Sequence, residues 1–102
     1  MATLMVLYHT PEDPAAFDTH YDDVHIPLAK NIPGLRAYEI SDGTVSTPDG
    51  PAPYHLIAEL SFDSVDAIKA GLGSKEGGTA VADLANFATG GATVLIYDTK
   101  DA

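Results

Sequence analysis

Two stretches, Thr3 to His9 (TLMVLYH) and Ala92 to Thr99 (ATVLIYDT), alternate like strands yet are apolar on both faces. Leu4, Val6 and Tyr8 oppose Met5 and Leu7 in the first, and Leu95 and Tyr97 oppose Val94 and Ile96 in the second. Strands of this kind have to be covered twice. A chain of 102 residues with 45% hydrophobic content has a core for one domain, spanning 1–102, and little to spare for a second layer. Helices of the same chain are expected on one face, and a second copy of the chain is the economical cover for the other.

Between these strands lies FDTHYDDVHIPLAKNIPGL, Phe17 to Leu35. Phe17, Tyr21, Val24 and Leu28 recur at i, i+4, i+7 and i+11, the core stripe of an α-helix. Asp18, Thr19, Asp22 and Asp23 fall on the opposite arc, a solvated helix back, and His20 and His25 on the two shoulders. Pro27 has no N–H for the carbonyl of Asp23 and pushes Ile26 out of the α region, so the helix is expected to kink or stop just beyond His25 and the segment to end at Pro33-Gly34. The carbonyl ends there and Asp22 favour a protonated imidazole, and burial against Tyr21 and Leu28 opposes it.

Elsewhere the pattern is simpler. Asp13 is an N-cap with Pro14 at the first helical position. Leu35 to Val45 reads as a second strand and Tyr54 to Phe62 as a third, the latter with Tyr54, Leu56, Ala58, Leu60 and Phe62 on one face. Ser46 to Pro53 (STPDGPAP) reads as a surface loop with no core signal. Asp63 or Ser64 caps a helix with the stripe Val65, Ile68 and Leu72, stopped by Gly71 and Gly73. Ser74 to Gly78 reads as a linker, and Thr79 to Ala88 as a short helix with Val81, Leu84 and Ala88 inward and Phe87 on its flank. The order β-α-β-β-α-β packs as an α+β, ferredoxin-like antiparallel sheet with its helices on one face.

Fifteen acidic residues against five basic ones give a formal charge of −10, the wrong sign for nucleic acid or an anionic membrane. No cysteine is present, which removes disulfides, thiol chemistry and thiolate metal sites. Leu4 to Tyr8 is too short for a signal segment and lacks a basic flank, so a cytoplasmic location is expected. The glycine-rich pieces, Gly71 to Gly78 and Gly90-Gly91, lack the strand-to-helix context of a nucleotide loop, and no serine sits in a G-x-S-x-G elbow. His9 and His55, at neighbouring strand ends, match no compact ligand motif even with Glu59 added. Neither a cofactor nor a metal is expected.

The pattern F-x-x-x-Y-x-x-x-H-x-P-L followed by P-G-L, here Phe17, Tyr21, His25, Pro27, Leu28, Pro33, Gly34 and Leu35, resembles the EthD family, and Ala82 to Phe87 (ADLANF) fits it too. The resemblance implies a dimeric α+β barrel of two ferredoxin-like sheets packed face to face. It also implies a link to degradation of organic compounds such as ethyl tert-butyl ether, in a family often classed with oxidoreductases.

With that resemblance, His25 is the candidate acid or base, since an imidazole on the shoulder of a core helix moves protons near neutral pH. Its structural alternative is a hydrogen bond to a freed carbonyl of Asp22 or Asp23. Tyr38, in the following strand, is the second candidate catalytic residue, its phenol facing the same pocket or simply packing in the core. Phe17, Tyr21 and Leu28 are the expected substrate-binding residues, around a small apolar organic molecule. Two functions fit: a homodimeric enzyme of isomerase, cyclase, dehydratase or cofactor-free oxidative type, or a non-catalytic protein that holds a hydrophobic compound or assists a separate oxygenase.

Overall fold

The computed structural model describes residues 1–102. Strand β1 (Ala2–His9) is followed by α1 (Pro14–His20), a π-helical turn (Tyr21–His25) and α2 (Ile26–Lys30). Then come β2 (Ala37–Ile40), a small hairpin of β3 (Ser46–Thr47) and β4 (Gly50–Pro51), β5 (Tyr54–Phe62), α3 (Val65–Gly73), α4 (Lys75–Phe87) and β6 (Ala92–Asp98). The main sheet has the order β2-β5-β1-β6 with every pair antiparallel. The helices lie on one face, which is the ferredoxin-like α+β layer expected from the element order.

Alternation in the central strands builds the core. Ala2, Leu4, Val6 and Tyr8 of β1 and Leu56, Ala58, Leu60 and Phe62 of β5 are buried beneath Phe17, Tyr21, Ala29, Ile32, Ile68, Ala80 and Phe87. The opposite face carries Met5 and Leu7, with Ile57 beside them across β5 and Leu95 and Tyr97 across β6. No element of the chain covers that face, and Leu95 and Tyr97 are exposed.

The first helical segment does not stop beyond His25. Helix runs on past His25, because the chain widens into a π turn in which the Ile26 N–H donates to the Tyr21 carbonyl, five residues back. Ile26 keeps right-handed helical dihedrals, and Pro27 sits in the first turn of α2. The extra residue moves the buried stripe to Phe17, Tyr21, His25 and Ala29. Val24, expected in the core, is 40% exposed, and Leu28 is only half-buried.

Three further boundaries differ from expectation. The second strand forms ladder pairs only over Ala37–Ile40, not Leu35 to Val45. Ser46 to Pro53 contains the β3–β4 hairpin, whose turn is fixed by Thr47 Oγ1 donating to the Gly50 carbonyl at 2.9 Å and by the Ala52 N–H reaching the Val45 carbonyl. The expected linker Ser74 to Gly78 is the first turn of α4, with Ser74 Oγ accepting from the Gly77 N–H at 3.0 Å. A methyl group on Gly77 would stand 2.0 Å from the Gly71 carbonyl oxygen, so this glycine serves the close approach of α3 and α4. With Gly77 set against α3, α4 turns Gly77, Ala80, Asp83 and Phe87 inward and leaves Val81 50% exposed.

Candidate functional site

The inward turn of α4 brings a carboxylate into the core, where Asp83 is 6% exposed. A buried carboxylate is tolerable only when its oxygens are fully bonded. His25 Nδ1 lies 2.9 Å from Oδ2, while His20 Nε2 at 2.8 Å and Asn86 Nδ2 at 3.0 Å both reach Oδ1. A carboxylate that accepts from both rings fixes their tautomers: His25 carries its proton on Nδ1 and His20 on Nε2. His25 Nε2 is therefore left as an acceptor, with the Tyr8 hydroxyl 3.5 Å away. Neither nitrogen bonds the carbonyl of Asp22 or Asp23, so the structural alternative of a freed carbonyl does not apply.

Around this dyad packs an aromatic cluster of Tyr8, Tyr21 and Phe87. The Phe87 ring centroid lies 4.7 Å from that of His25, Tyr21 lies 5.2 Å from it, and Tyr8 meets Tyr21 edge-on at 5.6 Å. The Tyr21 and Tyr38 hydroxyls hydrogen-bond each other across the gap between helix and sheet.

Beside this cluster is a cavity of about 250 Å³ between sheet and helices. It is bounded by Tyr8, Tyr21, His25 and Tyr38 at its polar end and by aliphatic side chains such as Leu4, Leu60 and Leu84 elsewhere. Val81 of α4 and Val94 of β6, the exposed members of its wall, mark the open side.

Burial and charge act on these groups in known directions. Burial lowers the His25 pKa below the ordinary 6.5, and the Asp83 carboxylate opposes this without overcoming it. For Asp83, burial pushes upward, but the donors Asn86, His20 and His25 outweigh it and hold the carboxyl below 3.8. Burial raises Tyr8, Tyr21 and Tyr38 above 10.0, with the neighbouring Tyr38 adding to the first two. At neutral pH the site is a neutral imidazole backed by a carboxylate and faced by three un-ionised phenols.

Of the five residues singled out from sequence, His25, Tyr21 and Tyr38 meet at this cavity. Phe17 lies behind it, stacked parallel to Tyr21 and edge-on to His55, and Leu28 faces a separate surface depression with Asn31, Lys75, Glu76 and Thr79. Asp83, Tyr8, His20 and Asn86 complete the arrangement without having been singled out. A legible signal for Asp83 existed, since an acidic residue in step with Ala80 and Phe87 on one helix face requires a buried donor.

His9 and His55 do not converge. His9 Nε2 bonds Thr93 Oγ1 at 3.1 Å and His55 Nε2 bonds Asp18 Oδ1 at 2.7 Å. No group of three or more His, Asp or Glu side chains is arranged to hold a metal ion, and no helix is long and apolar enough to cross a membrane.

Known proteins share this architecture. The EthD domain pattern matches residues 9–91. An uncharacterized 11.0 kDa protein in the thcB-thcC intergenic region of Rhodococcus erythropolis is 39% identical over 99 residues, covering 96% of this chain and 94% of its own. The crystal structure of an ethyl tert-butyl ether d (EthD) family protein from Bacillus halodurans superposes with a TM-score of 0.89 at 33% identity, covering 98% and 99% of the two chains. A variant of SnoaB, a cofactor-independent oxygenase from Streptomyces nogalater, shares the fold at a TM-score of 0.67 and 13% identity, covering 99% and 94%.

Proposed function

The chain belongs to the EthD family, and from that membership and the pocket geometry we propose that it acts on a small apolar organic molecule by acid–base chemistry, with His25 as the base. One observation carries this reading: Asp83 occupies His25 Nδ1 while Nε2 remains an acceptor at the wall of an apolar cavity. A weakly acidic C–H or O–H of the bound molecule gives its proton to Nε2, and Asp83 stabilises the imidazolium that forms. Return of the proton to another atom completes an isomerisation, cyclisation or dehydration. A fold shared with a cofactor-independent oxygenase supports a further outcome, in which the deprotonated molecule gives electrons to dioxygen. Tyr38 and Tyr21 offer phenol protons to an oxygen of the substrate. A cavity of about 250 Å³ lies below the ~300–1,000 Å³ usual for drug-sized ligands, which favours a compact molecule.

The protein works, in this proposal, as one domain of a homodimer, the second copy covering the apolar face of Met5, Leu7, Ile57, Leu95 and Tyr97. Degradation of an organic compound is the setting that the EthD family suggests. One observation favours a purely binding role instead: one phenol of the Tyr21–Tyr38 pair already donates its proton to the other, which leaves only the accepting phenol with an O–H for a ligand oxygen while the pair is intact.

The deciding experiment presents a panel of compact apolar carbonyl compounds and phenols to the protein, reading binding by native mass spectrometry and turnover by product analysis, with wild type beside His25→Ala. Enzymatic action predicts turnover that disappears in the variant while binding persists. Binding without turnover in both proteins would leave the carrier role standing and remove the catalytic one.

A further inference from the structure

We propose that Tyr8 is a further catalytic residue, the phenol that holds the substrate's oxygen, and that the pocket therefore takes compact carbonyl compounds with a hydrogen on the neighbouring carbon. This deepens the reading of His25 as the base and rests on it. Tyr8 ends the regular part of the β1–β5 ladder, whose register shifts between Tyr8 and His9. It is 1% exposed, met edge-on by Phe17 at 5.3 Å and by Tyr21 at 5.6 Å and tilted against Phe87 at 5.6 Å. A ring packed in this way holds its hydroxyl in one place before any ligand arrives.

That place is beside the base. The hydroxyl lies 3.5 Å from His25 Nε2, and both residues line the cavity. At this length the O–H···N contact is weak, so an entering ligand displaces little. Tyr21 and Tyr38 are less free, since one of their two protons is spent on the bond between them. An acceptor and a donor 3.5 Å apart match the two ends of a C–C=O unit laid alongside them. The carbon that loses its proton then sits roughly 3–3.5 Å from Nε2, and the carbonyl oxygen about 2.7–2.8 Å from the phenol. As the C–H bond breaks, its electron pair forms the C=C bond, the C=O π pair moves onto oxygen, and the proton goes to Nε2. The Tyr8 O–H meets the oxyanion that develops, and the enolate later takes the proton back from Nε2 at carbon or at oxygen. Burial raises the Tyr8 pKa, so this phenol keeps its proton and acts as a hydrogen-bond donor. Leu4, Leu60 and Leu84 take the apolar remainder of the molecule.

The test uses two compact planar probes: 4-nitrophenol, whose phenolate oxygen stands in for the enolate oxygen, and nitrobenzene, which lacks that group. Affinities of full-length wild type and Tyr8→Phe are measured by calorimetry at a pH where free 4-nitrophenol is ionised. Tyr8→Phe should bind 4-nitrophenol about tenfold more weakly than wild type, the loss expected for one hydrogen bond to a charged oxygen, and should bind nitrobenzene as wild type does. An equal loss for both probes would show that Tyr8 only packs the wall and would overturn the proposal. Undiminished binding of 4-nitrophenol by the variant, or no binding by wild type, would overturn it too. If Tyr8→Phe does not fold, a crystal structure of wild type with 4-nitrophenol decides the matter, the phenolate oxygen lying on the Tyr8 hydroxyl if the proposal holds and elsewhere if it fails. Failure of the base reading would appear separately, as absent turnover of carbonyl compounds in a protein that keeps this Tyr8-dependent difference between the probes.

Discussion

His25 Nδ1 stands 2.9 Å from Asp83 Oδ2, so that two residues 58 positions apart form one unit at the wall of the cavity. The link joins the π turn, which swings His25 inward, to the buried face of α4, which Gly77 sets close against α3 and which carries Asp83.

Asp83→Asn is expected to lower the His25 pKa further. Loss of the carboxylate removes the one influence that raises it, leaving burial unopposed. The amide also leaves one of three donors without a good acceptor, a destabilisation of about 1–3 kcal/mol. Urea unfolding and a His25 titration check the two effects. An unchanged titration would mean that Asp83 does not act on the imidazole.

Stability is expected to fall on the acid side in two stages. His25 is neutral in both folded and unfolded chains above 6.5; as the pH drops below that, the unfolded chain takes up a proton that the folded pocket resists until its own lower pKa is reached. Asp83 follows, its contribution present above 3.8 and lost as the pH falls through its depressed folded value. Urea midpoints measured from about pH 8 to about pH 3 should show both stages. In His25→Gln the share of the first stage due to His25 should vanish, and an identical profile in that variant would refute the assignment.

At the alkaline end the sign reverses. Tyr8, Tyr21 and Tyr38 have folded pKa values raised above 10.0, so the stability they contribute is complete below that pH and is lost as the pH rises above it. Tyrosinate absorbance should therefore report these three rings only as the protein unfolds. Tyr21→Phe should lessen the alkaline loss, at a cost of about 0.5–1.5 kcal/mol near neutrality for the hydrogen bond to Tyr38. Full ionisation of all five tyrosines in a folded protein would contradict the packing of the cluster.

Much of this arrangement was legible in the chain. β5 matches its expected bounds, Tyr54 to Phe62, because strict alternation in a half-covered strand leaves little freedom of register. His25 could be placed at the border of the core, but not on its stripe, since an ideal helix has no means of showing where a π turn inserts a residue. That one insertion explains why Val24 and Leu28 were expected inside and Ala29 was not. Asp83 stayed hidden for a different reason. Gly77 and Gly78 look like a helix break, whereas Gly77 is a contact point between two helices, and a start placed at Thr79 puts Val81 and Leu84 in the positions that Ala80 and Asp83 take.

The uncovered sheet face supports the last prediction. Met5 and Leu7 lie at its centre, Ile57 beside them, and Leu95 and Tyr97 extend the surface to the edge strand. Apolar area of this kind on a central strand is unfavourable in water, and the helices of residues 1–102 all lie on the other face of the sheet. Sedimentation at micromolar concentration is therefore expected to show a dimer. Met5→Lys places a charge at the middle of the proposed contact without touching the cavity, whose wall is built from the other face of β1. It should shift the species toward monomer and lower the thermal midpoint, because burying an unpaired ammonium between two apolar sheets is strongly disfavoured. Thr19→Lys, which places the same charge on the exposed outer side of α1 in the helical layer, is the control and should leave the assembly as it was. A wild-type protein that sediments as a stable monomer, or a Met5→Lys dimer as tight as wild type, would show that the face is not where two copies meet.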